Sequence, residues 1–125
     1  MRTILITGGA GFIGSNFVRY LLEKEEDVRI VNLDALTYAG SEHNLQNLPH
    51  SERHHFVHGN ICDMQLVEGL LEEQQVNTIV HCAAESHVDR SIFGPAEFVQ
   101  TNIVGTFTLL EAARKLWLNK KKEWV

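Results

Sequence analysis

The chain has only two cysteines in 125 residues, Cys62 and Cys82, too few for a disulfide framework. A reducing compartment is the default for such a chain, and a strand begins so close to Met1 that no leader is expected. The expected location is therefore cytoplasmic. Prolines are equally scarce: Pro49 and Pro95 are the two present, and both fall outside the periodic segments. With no repeat, low-complexity tract or linker, the reading is a single domain. No apolar stretch approaches the ~20 residues that a membrane-spanning helix requires. Basic residues are outnumbered, 11 Lys and Arg against 16 Asp and Glu for a net charge of −5, which argues against a dedicated nucleic-acid binder. The one basic run, Lys120-Lys121-Lys122, reads as a solvated helix end. Histidine is not scarce, but His54, His55 and His58 have no Cys or carboxylate partner at ligand spacing, so no metal is expected. Hydrophobic residues make up 44% of the chain, enough for a core.

Against these absences stands a concentration of glycine. Thr3-Ile4-Leu5-Ile6 is a short β-branched run, followed at once by Thr7-Gly8-Gly9-Ala10-Gly11-Phe12-Ile13-Gly14. Phe12, Ile13, Phe17, Val18, Leu21 and Leu22 then recur at helical spacing. A glycine turn between strand and helix suits a pyrophosphate. Gly8, Gly11 and Gly14 allow the tight turn, the close approach of backbone to ligand and the packing of helix on strand. The helix N-terminus supplies unpaired N–H groups and partial positive charge. A second strand, Val28 to Leu33, ends at Asp34, about 20 residues past the last glycine, where an acid binds the adenine ribose hydroxyls. A carboxylate there repels a 2′-phosphate, so NAD is favoured over NADP. The competing reading is an acid that merely caps the following turn.

Further along, Gly40, Ser41, Asn44, Asn47 and Pro49 mark a loop, with a short helix expected around Glu42–Asn47. A third strand is expected over His55–His58, and Asp63 is placed as the N-cap of a helix from Met64 to Gln74. Thr78–His81 reads as strand four. Pro95 opens a long helix, roughly Ala96 to Leu118. The order β-α-β-β-α-β-α predicts an α/β fold with a parallel sheet covered on both faces. It is the first part of a Rossmann-like doubly wound sheet, four strands with flanking helices. The turn at Gly8–Gly14, Asp34, Asn60-Ile61 and the segment from Cys82 to Ser86 all follow strand ends on one edge, where such sheets bind ligands.

The glycine motif resembles that of the extended short-chain dehydrogenase/reductase family. The runs Asp34-Ala35-Leu36-Thr37-Tyr38-Ala39-Gly40, Ala83-Ala84-Glu85-Ser86-His87-Val88-Asp89-Arg90-Ser91 and Thr101-Asn102-Ile103-Val104-Gly105-Thr106 are similar to its nucleotide-sugar 4,6-dehydratase branch. The resemblance implies NAD as cofactor and a nucleotide sugar, dTDP-glucose, as substrate. That sugar is oxidised at C4, loses water across C5–C6 and regains hydride at C6. By the same resemblance Phe12 and Ile13 lie against the cofactor phosphates, and Asp34, Ala35, Leu36 and Thr37 hold the adenosine ribose. Asn60 and Ile61 flank the adenine. Cys82, Ala83, Ala84, Glu85, Ser86 and Thr101 line the nicotinamide half, with Ser86 also reaching the sugar nucleotide. Asn60 stands where the family usually has Asp, and Cys82 where it usually has Leu.

The family's catalytic tyrosine, with a lysine four residues on, and its acid–base pair follow a fifth strand that is not found here. No catalytic residue is therefore assigned. Tyr20-Leu21-Leu22-Glu23-Lys24 matches the tyrosine–lysine spacing by chance, on a helix that leads away from the nicotinamide. The expectation is the N-terminal, NAD-binding part of a dehydratase, inactive by itself and without the substrate domain. The whole enzyme is expected to be a homodimer and this chain to self-associate. Other extended-family epimerases or decarboxylases, and a non-enzymatic NAD-binding module, are the alternatives.

Overall fold

The computed structural model describes residues 1–36, 41–83, 96 and 99–118. Four parallel strands form its sheet: β1 (Arg2–Thr7), β2 (Val28–Asp34), β3 (His54–His58) and β4 (Thr78–His81). Their spatial order is β3-β2-β1-β4. The chain steps outward from β1 through β2 to β3, then returns to the other side of β1. That reversal opens a crevice at the carboxyl ends of β1 and β4. Register follows from the pairs Thr7–Leu33, Thr7–His81 and Asp34–His58, so the three strand ends beside the crevice are level.

Alternation along the strands builds two cores. Ile4 and Ile6 of β1, with Val28 and Ile30 of β2, face helix α1 (Phe12–Lys24) and meet Val18, Leu21 and Leu22. Leu5, Val31 and Leu33 point the other way. They meet Val67, Leu70 and Leu71 of α2 (Met64–Glu73) and Leu109 and Ala112 of α3 (Thr106–Trp117). Period-two burial on both faces explains why β1 and β2 read as almost continuous apolar runs. Asp63 caps α2 as expected, its carboxylate accepting from the Leu66 amide at 3.2 Å. Arg53 does what no local pattern announces. Its guanidinium donates to the carbonyls of Leu22, Glu25 and Val28 at 2.8–2.9 Å. It thereby satisfies orphan acceptors at the end of α1 and fixes the turn into β2.

The short helix expected over Glu42–Asn47 is a 3₁₀ turn, Glu42–Leu45, capped by Ser41. The long helix expected from roughly Ala96 to Leu118 is not uniform. Ala96 and Val99 are α-helical, Gln100–Gly105 is a π-helical stretch, and α-helix resumes over Thr106–Trp117. Hydroxyls occupy the carbonyls of this region. Thr106 donates to Asn102 O at 2.9 Å and Thr108 to Val104 O at 2.8 Å, while the Cys62 thiol reaches Gln100 O at 3.3 Å. Gly105 lies so close to the Ile61 side chain that any Cβ would collide with it. A π-helical stretch is defined by its i→i+5 backbone bonds, which apolar spacing over so short a segment does not reveal. Among the described residues, no helix is long and apolar enough to cross a membrane.

Candidate functional site

The glycine turn sits at the crevice. The Gly8 amide donates to Leu33 O at 2.8 Å, and Gly11 to Gly8 O at 3.2 Å, which closes the turn before α1 starts. Gly8 has φ +68°, in the left-handed region that a Cβ disfavours. A Cβ there would also stand 2.6 Å from the Ala83 nitrogen. The residue is therefore glycine for two independent reasons. Gly14 packs with no room to spare, since a Cβ would run into the Gly8 carbonyl. Gly11 is the N-cap of α1, with no side-chain cap and no acid in the first turn. The positive end of the helix is thus left for an anion. Phe12 and Ile13 are 81% and 74% exposed beside it.

Asp34 ends β2 and is 7% exposed. Its two carboxylate oxygens accept from Ala10 N at 2.8 Å and Leu36 N at 2.7 Å. One lone pair on each oxygen stays available, so the acid both braces the glycine turn and can accept hydroxyl hydrogens. Leu36 has φ +55°, a strained value for a branched residue, held by its bond to Asp34. Leu36, Ser41, Glu42, His43 and Gln46 line a pocket of about 380 Å³. The pocket wall is tied to the turn through Ala10 O, which accepts from Ser41 N at 3.1 Å and Asn44 Nδ2 at 2.8 Å. Ala35 is half-buried, and its carbonyl accepts from His58 Nε2 at 3.0 Å. Thr37 lies outside the described residues, as do Ala84, Glu85 and Ser86.

Asn60 is exposed, and its side-chain oxygen accepts from Cys62 N at 2.8 Å in a local turn. Ile61 is placed otherwise than a ligand-facing side chain would be. It is 5% exposed and belongs to the core beside α2 and α3. Thr101 is half-buried within the π-helical stretch. Cys82 and Ala83 are half-buried after β4, and burial pushes the Cys82 thiol pKa up. Both amides donate to Thr7 Oγ1, at 3.1 and 3.2 Å.

The glycine turn, Asp34 and the Cys82–Ala83 segment thus share one sheet edge, with Asn60 after β3. Three residues that shape this edge are not among the site residues read from the sequence: Thr7 and His81, whose side chains bond each other, and Asn44. His54 is likewise explained by packing. Its ring meets the buried Asn32 amide at 3.1 Å, and burial, with His55 adding to it, lowers its pKa. Among the described residues, no three His, Cys, Asp or Glu gather as metal ligands.

A parallel sheet ordered 3-2-1-4, a glycine turn at its switch point and an acid ending the second strand define a Rossmann-type unit of the extended short-chain dehydrogenase/reductase kind. The family profile described as GDP-mannose 4,6 dehydratase matches residues 5–125. The chain belongs to that family. It is 54% identical over 114 residues to dTDP-glucose 4,6-dehydratase of Salmonella typhimurium, covering 91% of this chain and 31% of that protein. The crystal structure of dTDP-glucose 4,6-dehydratase from Streptomyces venezuelae with NAD and TYD bound matches with a TM-score of 0.84 and 49% identity. That match covers 90% of this chain and 36% of the other. A UDP-glucose 4-epimerase from Thermotoga maritima matches with a TM-score of 0.79 at 34% identity, covering 90% and 34%. The chain spans about a third of the length of the relatives it matches.

Proposed function

We propose that this chain binds NAD as the cofactor-holding part of a dTDP-glucose 4,6-dehydratase. The observation that carries the reading is the pairing of Gly8 and Asp34. The glycine admits backbone to the crevice, and the acid, anchored to the same turn, keeps lone pairs for ribose hydroxyls. Support for dehydratase over epimerase comes from 54% identity to the Salmonella dehydratase and 49% to the Streptomyces one, against 34% to the Thermotoga epimerase.

In this reading Gly8, Gly11, Phe12, Ile13 and Gly14 take the pyrophosphate at the head of α1. Asp34, Ala35, Leu36 and Thr37 take the adenosine ribose, and Asn60 and the Ile61 backbone border the adenine. Cys82, Ala83, Ala84, Glu85, Ser86 and Thr101 form the nicotinamide side, with Ser86 towards the sugar nucleotide. Bound NAD supplies the hydride acceptor for C4 of the sugar and the donor for C6. The residues of this chain bind and orient it, and none is assigned to move a proton. Tyr20 is half exposed on α1, eight residues past Phe12 and so roughly 12 Å along the helix from the turn. Titration calorimetry of the chain with NAD and NADP tests the reading. Heat of binding for NAD and much weaker binding of NADP is the expected outcome, and equal or tighter NADP binding overturns it.

The same reading includes a homodimer. Val99, Ile103, Phe107 and Leu110 follow one another at helical spacing and are 47–66% exposed, an apolar stripe that water does not favour. Among the described residues β4 pairs only with β1, which leaves a strand edge open to pairing. Self-association at micromolar concentration is expected. Sedimentation velocity showing a stable monomer contradicts it.

A further inference from the structure

Thr7 is completely buried at the last position of β1, between the core and the glycine turn. Its hydroxyl has three neighbours: Cys82 N at 3.1 Å, Ala83 N at 3.2 Å and His81 Nδ1 at 2.6 Å. Backbone N–H groups only donate, so both lone pairs of Oγ1 face amide hydrogens, and the Cys82 amide is shared with Thr7 O at 3.0 Å. The hydroxyl hydrogen then has one destination, His81 Nδ1, which must be the unprotonated nitrogen. Nε2 of the same ring therefore carries hydrogen and donates to Thr106 Oγ1 at 3.0 Å. Thr106 in turn donates to Asn102 O at 2.9 Å. The opposite polarity fails at Thr7. Three N–H donors would crowd two lone pairs, and the hydroxyl hydrogen would have no acceptor. His81 is exposed at its strand end, yet both ring nitrogens are engaged. Burial of part of the ring lowers its pKa, in keeping with a neutral imidazole.

We infer that His81, as the Nε2–H imidazole, is a positioning residue of the cofactor site. It locks the Cys82–Ala83 backbone beside Gly8 to the helix that carries Thr101. The bonds tie the ends of β1 and β4, already neighbours in the sheet, to the junction of the π-helical stretch with α3. His81 frees the lone pairs of Thr7 for the two amides, and Thr106 sets the ring that does so. The Ala83 backbone is what a Cβ on Gly8 would strike, so a shift there moves the floor of the crevice. This inference rests on the reading of the crevice as an NAD site.

Two measurements on the full 125-residue chain test it. In the first, long-range ¹H–¹⁵N spectra of the histidine rings, assigned with His81→Gln, are expected to show His81 as the Nε2–H tautomer at neutral pH. A Nδ1–H tautomer or an imidazolium overturns the relay. In the second, NAD affinity and amide exchange are compared for Thr106→Val, which keeps the shape but loses the hydroxyl, and Thr106→Ser, which keeps it. Thr106→Val should weaken NAD by about 5- to 10-fold, the effect of one hydrogen bond, while Thr106→Ser stays within about 2-fold. The Cys82 and Ala83 amides should exchange faster only in Thr106→Val. Unchanged affinity and exchange in Thr106→Val overturn the positioning role. If the unmodified chain binds no NAD, the cofactor reading has failed, whereas the tautomer and the exchange rates still judge the relay.

Discussion

Gly8→Ala is expected to remove NAD binding and to lower stability by about 3 kcal/mol. Two costs combine. A non-glycine residue held at φ +68° pays roughly 1–2 kcal/mol for left-handed backbone. The new methyl group would also lie 2.6 Å from Ala83 N, 2.7 Å from Ala83 Cα and 2.8 Å from the Cys82 carbonyl carbon. All three are backbone atoms of the segment that Thr7 pins, so they cannot swing aside as a side-chain tip would, and such overpacking costs about 1–3 kcal/mol. In thermal unfolding the loss reads as a fall of roughly 10–15 °C for a chain of this size. Gly69→Ala is the matched control. Gly69 lies within α2 with nothing inside 4 Å of its added Cβ, and alanine there should stabilise by about 0.5–1 kcal/mol. Equal melting temperatures for Gly8→Ala and the parent chain would overturn the requirement for glycine at this position.

Asp34→Ala should weaken NAD by about 10- to 100-fold, since charge-assisted hydrogen bonds contribute ~1.5–3 kcal/mol. The effect has two sources. The ribose loses its acceptor, and the amides of Ala10 and Leu36 lose theirs, so the glycine turn and the strained Leu36 are released together. Asp34→Asn should not restore binding. Both carboxylate oxygens accept from N–H groups, and an amide NH₂ in either place would face another donor. With the negative charge gone, the preference for NAD over NADP should narrow in both variants. Calorimetry, with circular dichroism to confirm folding, measures all of this. Unchanged NAD affinity in Asp34→Ala would refute the ribose assignment.

Much of this was legible in the residues because its physics is local. A β-branched run buried on both sides, a glycine cluster and a 3.6-residue apolar repeat each describe their own segment, so β1, the turn, α1 and β2 fall where expected. The same holds for Asp63, whose capping bond spans three residues. Ile61 illustrates the limit. Its side chain packs into the core against Gly105, a contact between segments far apart in the chain that no local pattern announces. The π-helical stretch escaped for a related reason, since its backbone bonds and the close contact of Gly105 with Ile61 depend on tertiary packing.

By itself the sequence determined the kinds of element, their order, the apolar faces and the acid poised after the second strand, because side-chain pattern encodes burial. Only the tertiary structure decided the hydrogen-bond partners. Thr7 finds His81 seventy-four residues away, Arg53 finds the carbonyls that end α1, and Asn44 finds Ala10 O. Such partners depend on which strand ends lie side by side. That follows from the β3-β2-β1-β4 order and its register, which exist only once the chain has crossed back over β1.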